Sequence, residues 1–253
     1  MQIIISDETK TEIFTKTFLH LNQFSTMVNL RFQSEALYIQ GLDSNHISLF
    51  EIRFCKDWFK QYEVEEPQVL GINIELLSKI LNFRNKCQDI VLRAENMDHL
   101  FIDLISSEKN IISKYFKIPI YDIDTDLMEI PEVEYQADFI IGSKPIKEFI
   151  DQMSTFGEIL KLNCDETEIR LSVEGDDGEM DVTLDFDLLD EYAIEEDKQI
   201  ELCYNLKYII FMLKYADIFP NVHIYMSTKF PLKMSFDMED GTMHFFLAPQ
   251  IQD

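Results

Sequence analysis

Asp122-Ile123-Asp124-Thr125-Asp126 is the run whose residue types come closest to a chemical site. Carboxylates at alternate positions open calcium-binding loops, where hard oxygen donors converge on the ion. Such a loop needs glycine at its sixth position and a bidentate glutamate at its twelfth. Here those positions hold Leu127 and Val133, so no calcium site is expected. The five histidines show no metal-ligand spacing, and Cys55, Cys87, Cys164 and Cys203 form no CxxC pair, which reads as ordinary buried thiols in a reducing compartment. The seven glycines do not cluster into a phosphate-cradling loop or a nucleophile elbow. Acid pairs abound at this composition and none stands out as a catalytic dyad. The expectation is a protein without enzymatic activity, cofactor or metal.

Charge is the other chemistry on offer. The chain carries 22 Lys and Arg against 47 Asp and Glu, a formal net charge of −25. Such a surface repels nucleic acid and anionic membrane over most of its area. The cations are unevenly placed. Four stretches with helical periodicity, 7–21, 73–86, 143–156 and 205–215, hold Lys10, Lys16, Lys79, Arg84, Lys86, Lys144, Lys147, Lys207 and Lys214. Their acids are Asp7, Glu8, Glu12, Glu75, Glu148 and Asp151, so the helices are mildly positive on a negative body. If all four share one face, that face attracts phosphates diffusely, with no base readout.

The elements that must present those cations recur in order. A strand at 2–6 precedes a helix capped near Ser6 or Asp7, with Ile13, Phe14, Phe18 and Leu21 inward. Strands are expected at 26–32, 36–40, 47–54, 58–64 and 69–72. A helix opened by Asn73 follows, then strands at 90–94, 100–105 and 111–118. The second half repeats the pattern. A strand at 135–141 leads into Ser143-Lys144-Pro145, which starts a helix with proline in its first turn. Strands follow at 159–163, 168–173 and 180–186, with Asp176-Asp177-Gly178 as a hairpin turn. The acidic run 187–197 reads as a loop. A strand at 199–203, a fourth helix, and strands at 222–226, 232–237 and 243–247 complete the chain. Strands outnumber helices and mostly follow one another directly, so the fold class is α+β: two similar domains of antiparallel sheets with two helices each.

Between the halves lies 119–133, bounded by Pro119 and Pro131 and free of glycine and serine. Proline excludes helix and inner strand here. Apolar and acidic residues alternate from Ile120 to Asp126, as in an extended segment laid on a surface. The expected division is a first domain at 1–118, a connector at 119–133, and a second domain at 134–253. No apolar run approaches the length of a membrane span, and Met1–Asp7 lacks the basic start of a secretory signal.

Several motifs carry a family resemblance. They are Gly41-Leu42-Asp43-Ser44-Asn45-His46-Ile47-Ser48-Leu49, Leu70-Gly71-Ile72-Asn73 leading to Ser78-Lys79-Ile80-Leu81, Leu92-Arg93-Ala94-Glu95, Ile130-Pro131-Glu132, and Leu247-Ala248-Pro249-Gln250-Ile251. In order and spacing the chain resembles, end to end, the DNA sliding clamp family of proliferating cell nuclear antigen.

The resemblance implies the DNA-clamp (processivity) fold, a head-to-tail homotrimeric ring with helices lining the hole and sheets outside. It implies a platform that encircles duplex DNA non-specifically and tethers DNA polymerase, the clamp loader and other replication and repair proteins. A monomeric or hetero-oligomeric processivity or checkpoint clamp of the same fold is the alternative. Partners of this family insert a short apolar-aromatic peptide. The corresponding residues here are Leu42, His46, Ile47, Met128, Ile130, Pro131, Pro231, Phe246, Ala248 and Pro249. Many relatives carry tyrosine where Phe246 stands, so one polar contact is missing. Ring closure would pair 111–118 of one subunit with 180–186 of the next. Glu148 and Asp151 occupy places where relatives often have arginine, and Glu166 stands at a modifiable lysine of many eukaryotic members, so that regulation is not expected. The implied location is the nucleus, or a cytoplasmic replication site in a virus or archaeon, with no membrane partner.

Overall fold

The computed structural model describes residues 1–95 and 98–250; Ile251 of the terminal motif lies outside them. Strand β1 (Gln2–Ile5) leads into helix α1 (Glu8–Leu21). Asp7 caps α1 by accepting the Lys10 N–H at 2.9 Å, which satisfies one donor that the first turn leaves open. Strands β2 (Met27–Phe32), β3 (Ala36–Leu42), β4 (Ser48–Cys55), β5 (Gln61–Glu63) and β6 (Gln68–Asn73) follow. Helix α2 (Ile74–Leu81) is capped by Asn73, whose side chain accepts from Leu76 N–H. Strands β7 (Asp89–Arg93), β8 (His99–Ile105) and β9 (Lys114–Pro119) close the first half.

The second half repeats this sequence of elements. It comprises β10 (Ala137–Gly142), α3 (Ser143–Met153), β11 (Ile159–Cys164), β12 (Ile169–Gly175), β13 (Gly178–Leu184), β14 (Leu189–Ile194) and β15 (Ile200–Asn205), followed by α4 (Leu206–Met212), β16 (Asn221–Met226), β17 (Leu232–Met238) and β18 (Gly241–Leu247). Neighbour order repeats as well. The first half contains β5-β1-β7-β8-β9 and β4-β3-β2-β6; the second contains β14-β10-β16-β17-β18 and β13-β12-β11-β15. The α+β reading and the duplication in the sequence therefore hold strand for strand.

Two elements depart from the expectation. The strand expected at 58–64 shrinks to Gln61–Glu63, behind a single 3-10 turn at Lys56–Trp58. The acidic run 187–197 contains β14, which pairs antiparallel with β10 from Ala137↔Ile194 to Ile141↔Leu189. Backbone ladder bonds form it, and none of its side chains is fully buried, so no hydrophobic alternation announced it. The turn at Asp176-Asp177 joins β12 to β13 as expected, with Gly175 paired to Gly178. Gly178 has φ +145, a conformation that favours a residue without Cβ.

The chain forms two compact units. One comprises Met1–Ser44, Phe50–Met128 and Met238–Met243; the other comprises Asn45–Leu49, Glu129–Asp237 and the residues from His244. The expected connector 119–133 thus divides after Met128. In the first unit α1 packs beside α2 over a core that includes Phe14, Phe18, Leu21, Phe54, Trp58, Leu77 and Leu81. In the second, α3 and α4 pack together over Phe139, Ile146, Ile150, Leu160, Tyr204 and Ile209. Burying each such side chain is worth about 1.5–3 kcal/mol. Cys164 and Cys203 are buried as expected, Cys55 is half-buried, and Cys87 is exposed, contrary to the reading of all four as buried. Cys87 sits just past the α2 C-terminus in a polar turn at φ 65, where there is no core to receive it.

Candidate functional site

Asp122, Asp124 and Asp126 are all exposed, and no metal-holding cluster occurs among the described residues. The connector that carries them is held along the first unit by its backbone. Tyr121 bridges Gly71 on β6, its N–H donating to the Gly71 carbonyl at 2.8 Å. A Cβ on Gly71 would stand 2.2 Å from the Tyr121 carbonyl oxygen, so this approach requires glycine. Asn29 Nδ2 on β2 donates to the Ile123 carbonyl at 3.0 Å and to Thr125 Oγ1 at 2.8 Å. Arg31 donates to the Thr125 carbonyl at 2.8 Å. Gln40 on β3 meets Met128 at two points: its Nε2 donates to the carbonyl at 2.9 Å, and its Oε1 accepts the N–H at 2.8 Å. Sequence reasoning missed Asn29, Arg31 and Gln40, because polar residues on a strand carry no sign of what they hold.

The residues assigned to partner peptides are all surface residues. Leu42 on the first unit is half-buried and Met128 is exposed. On the second unit, Ile130 and Phe246 are half-buried, whereas His46, Ile47, Pro131, Pro231, Ala248 and Pro249 are exposed. Ala248 N–H donates to the Ile47 carbonyl at 3.1 Å, and Gln250 N–H to the Cys203 carbonyl at 2.7 Å, so the C-terminal segment is tied to the loop that carries His46. Asn45 Nδ2 donates to the Tyr208 hydroxyl at 3.0 Å. His46 takes φ 57, which orients the turn that carries Ile47.

The helical cations fall into two groups. Lys16, Lys79 and Lys147 each pair with a carboxylate on their own helix: Glu12 at 2.7 Å, Glu75 at 2.5 Å and Asp151 at 2.7 Å. Arg84 joins Glu8 at 2.5 Å with only 9% of its side chain exposed, and its Nε donates to the Gln88 carbonyl. That hydrogen bond from Arg84 holds the Glu8 carboxyl below its ordinary range. Arg84 therefore fastens the end of α2 to the start of α1. In the other group, Lys10 lies over Trp58 at 5.7 Å. Lys207 and Lys214 flank the half-buried Phe211 ring at 5.7 and 5.4 Å. Lys86 and Lys144 are exposed.

Among the described residues, six strands end the three sheets, and the two expected to pair between subunits are among them. Strand β9 ends one sheet and β13 another. On β9, Tyr115 is 69% exposed and Lys117 is exposed beside it; on β13, Glu179, Asp181 and Thr183 share one exposed face.

A chain whose halves repeat strand for strand, each with two helices on antiparallel sheets, has the duplicated α+β clamp fold. Comparison with known proteins goes further: the sequence pattern of the proliferating cell nuclear antigen N-terminal domain matches residues 8–129, and that of its C-terminal domain matches 129–251. The chain belongs to the proliferating cell nuclear antigen family. It is 27% identical over 228 residues, 88% of each chain, to DNA polymerase sliding clamp 1 of Thermococcus kodakarensis. It is 24% identical over 233 residues, 90% of each chain, to proliferating cell nuclear antigen of Saccharomyces cerevisiae. It is also 28% identical over 257 aligned residues to the probable DNA polymerase sliding clamp 2 of Paramecium bursaria Chlorella virus 1, covering 100% of this chain and 92% of the relative.

Proposed function

We propose that this protein is a DNA sliding clamp: a non-catalytic ring that encircles duplex DNA and raises the processivity of DNA polymerase. The observation that carries this reading is the match of both family domains, in order, over residues 8–251. Relatives from yeast, an archaeon and a virus are named as clamps or as the antigen itself, so the working site is wherever the DNA of the source is copied, the nucleus or a cytoplasmic replication site.

In this reading three chains close head to tail, with β9 of one subunit pairing with β13 of the next. Exposed edges invite such pairing, and a heterologous contact must close at a fixed number of subunits. Lys10, Lys16, Lys79, Lys86, Lys144, Lys147, Lys207 and Lys214 face the DNA, whereas Arg84, with 9% of its side chain exposed and held by Glu8, serves to fasten the helices. Self-paired lysines suit sliding, since several strong phosphate contacts give non-specific binding of about 10⁻⁴–10⁻⁶ M and hold the ring in place. Partners, including the polymerase and the clamp loader, dock a short apolar-aromatic peptide on Leu42, His46, Ile47, Met128, Ile130, Pro131, Pro231, Phe246, Ala248 and Pro249. A monomeric clamp would have charge-poor edges; the Lys117 and Glu179 edges favour self-association instead.

Native mass and retention on DNA test this together. The expected result is a mass of three chains and, after loading, retention on circular but not linearised DNA. A monomer at micromolar concentration, or equal loss from both DNA forms, would overturn it.

A further inference from the structure

We infer that Glu51, Tyr38 and Gln40 are positioning residues for the partner-peptide site, a polar relay that sets the register of the connector at Met128. The inference rests on the pocket reading above. The relay starts on β4, where the Glu51 carboxylate accepts from the Tyr38 hydroxyl at 2.7 Å. An ionised carboxylate has no proton to give, so the tyrosine must be the donor. Its remaining lone pair then accepts from Gln40 Nε2 at 3.0 Å. That contact fixes which end of the Gln40 amide carries the hydrogens. The second hydrogen of Nε2 reaches the Met128 carbonyl, and Oε1 is left facing the Met128 N–H. A flipped amide would set donor against donor and acceptor against acceptor at both contacts.

Gln40 therefore acts on Met128 as a neighbouring strand would, taking the N–H and C=O of one residue together. Burial of the Tyr38 phenol, with the Glu51 charge beside it, raises its pKa far above the ordinary range, so the relay keeps its proton at any working pH. Met128 is also where the hold ends. Among the described residues, no hydrogen bond secures 129–135, and the next is Gln136 N–H to the Met226 carbonyl. Ile130 and Pro131 lie in this stretch. Where Met128 is fixed decides where they begin, and an unfixed connector lowers apparent affinity by the fraction of time it is misplaced.

The test uses the full chain and a fluorescently labelled, synthetic apolar-aromatic clamp-binding peptide. Gln40→Ala is expected to weaken peptide binding about tenfold and to speed hydrogen exchange at the Met128 amide, with native mass unchanged. Tyr38→Phe keeps the ring and its packing but removes the acceptor that steadies Gln40 Nε2; a loss of about threefold is expected. It carries the test alone if Gln40→Ala does not fold. Ile130→Ala with Pro131→Ala, which removes pocket wall directly, separates the two readings. Loss of binding there with unchanged affinity in Tyr38→Phe and Gln40→Ala would sink the relay and leave the pocket. Unchanged binding in all variants would sink both.

Discussion

Tyr204 shows how a single atom can be out of keeping with its surroundings. Its ring lies wholly buried on β15, opposite Leu160 of β11, yet its hydroxyl has no hydrogen-bond partner. It helps line an apolar cavity with Phe139, Ile146 and Ile209, in which about 20 Å³ is free for water. One water fits that space, but water needs two to four polar partners to be held there. Burying an unmade hydroxyl costs about 1–3 kcal/mol, whereas the ring itself contributes packing. Tyr204→Phe keeps the packing and removes the cost. It is therefore expected to stabilise the chain by about 1 kcal/mol, read as a higher midpoint in urea at unchanged slope; a lower midpoint would mean that the hydroxyl is satisfied after all.

At the scale of elements, the proposed lining of the ring makes the helices the part that decides how firmly DNA is met. Asp151 stands two turns into α3 and neutralises Lys147, whose pKa is raised chiefly by that hydrogen bond. Removing the acid frees one cation and takes away one anion. Asp151→Asn is expected to tighten non-specific duplex binding and to steepen its salt dependence by up to about 0.9 in log–log slope, measured by fluorescence titration from low to moderate salt. No change in slope would place Lys147 away from the duplex. Helix starts were legible in the sequence because capping is local: Asp7, Asn73 and Asn205 each accept a backbone N–H two or three residues on. Core strands were legible from alternation. The acidic strand β14 and the Gln40 contact were not, since both depend on backbone partners that composition does not encode. The helical lysines were legible as residues, but not the carboxylates that already occupy four of the nine cations.

For the whole molecule, the proposed head-to-tail ring raises the question of what would let one chain find the next in the correct register. Strand pairing alone is permissive, because a slip by two residues preserves every side-chain face. Charge on the outward face removes that freedom. On β9, Tyr115 and Lys117 point to the same face as Pro119, while Phe116 and Ile118 turn toward the layer beneath. On β13, Glu179, Asp181 and Thr183 share one face and Met180, Val182 and Leu184 the other. Joined edge to edge, the two strands set cation against anion on one face and apolar against apolar on the opposite one. Asp181 already holds Arg170 at 2.8 Å, which leaves Glu179 as the natural partner of Lys117. Lys117→Glu is expected to weaken self-association about tenfold, since opposed like charges cost more than a lost surface pair contributes. Glu179→Lys alone should weaken it similarly, and the double exchange should recover most of the loss. Sedimentation over a dilution series reads all three. Full additivity of the two losses in the double variant would show that these side chains do not meet and would count against pairing of β9 with β13 in this register.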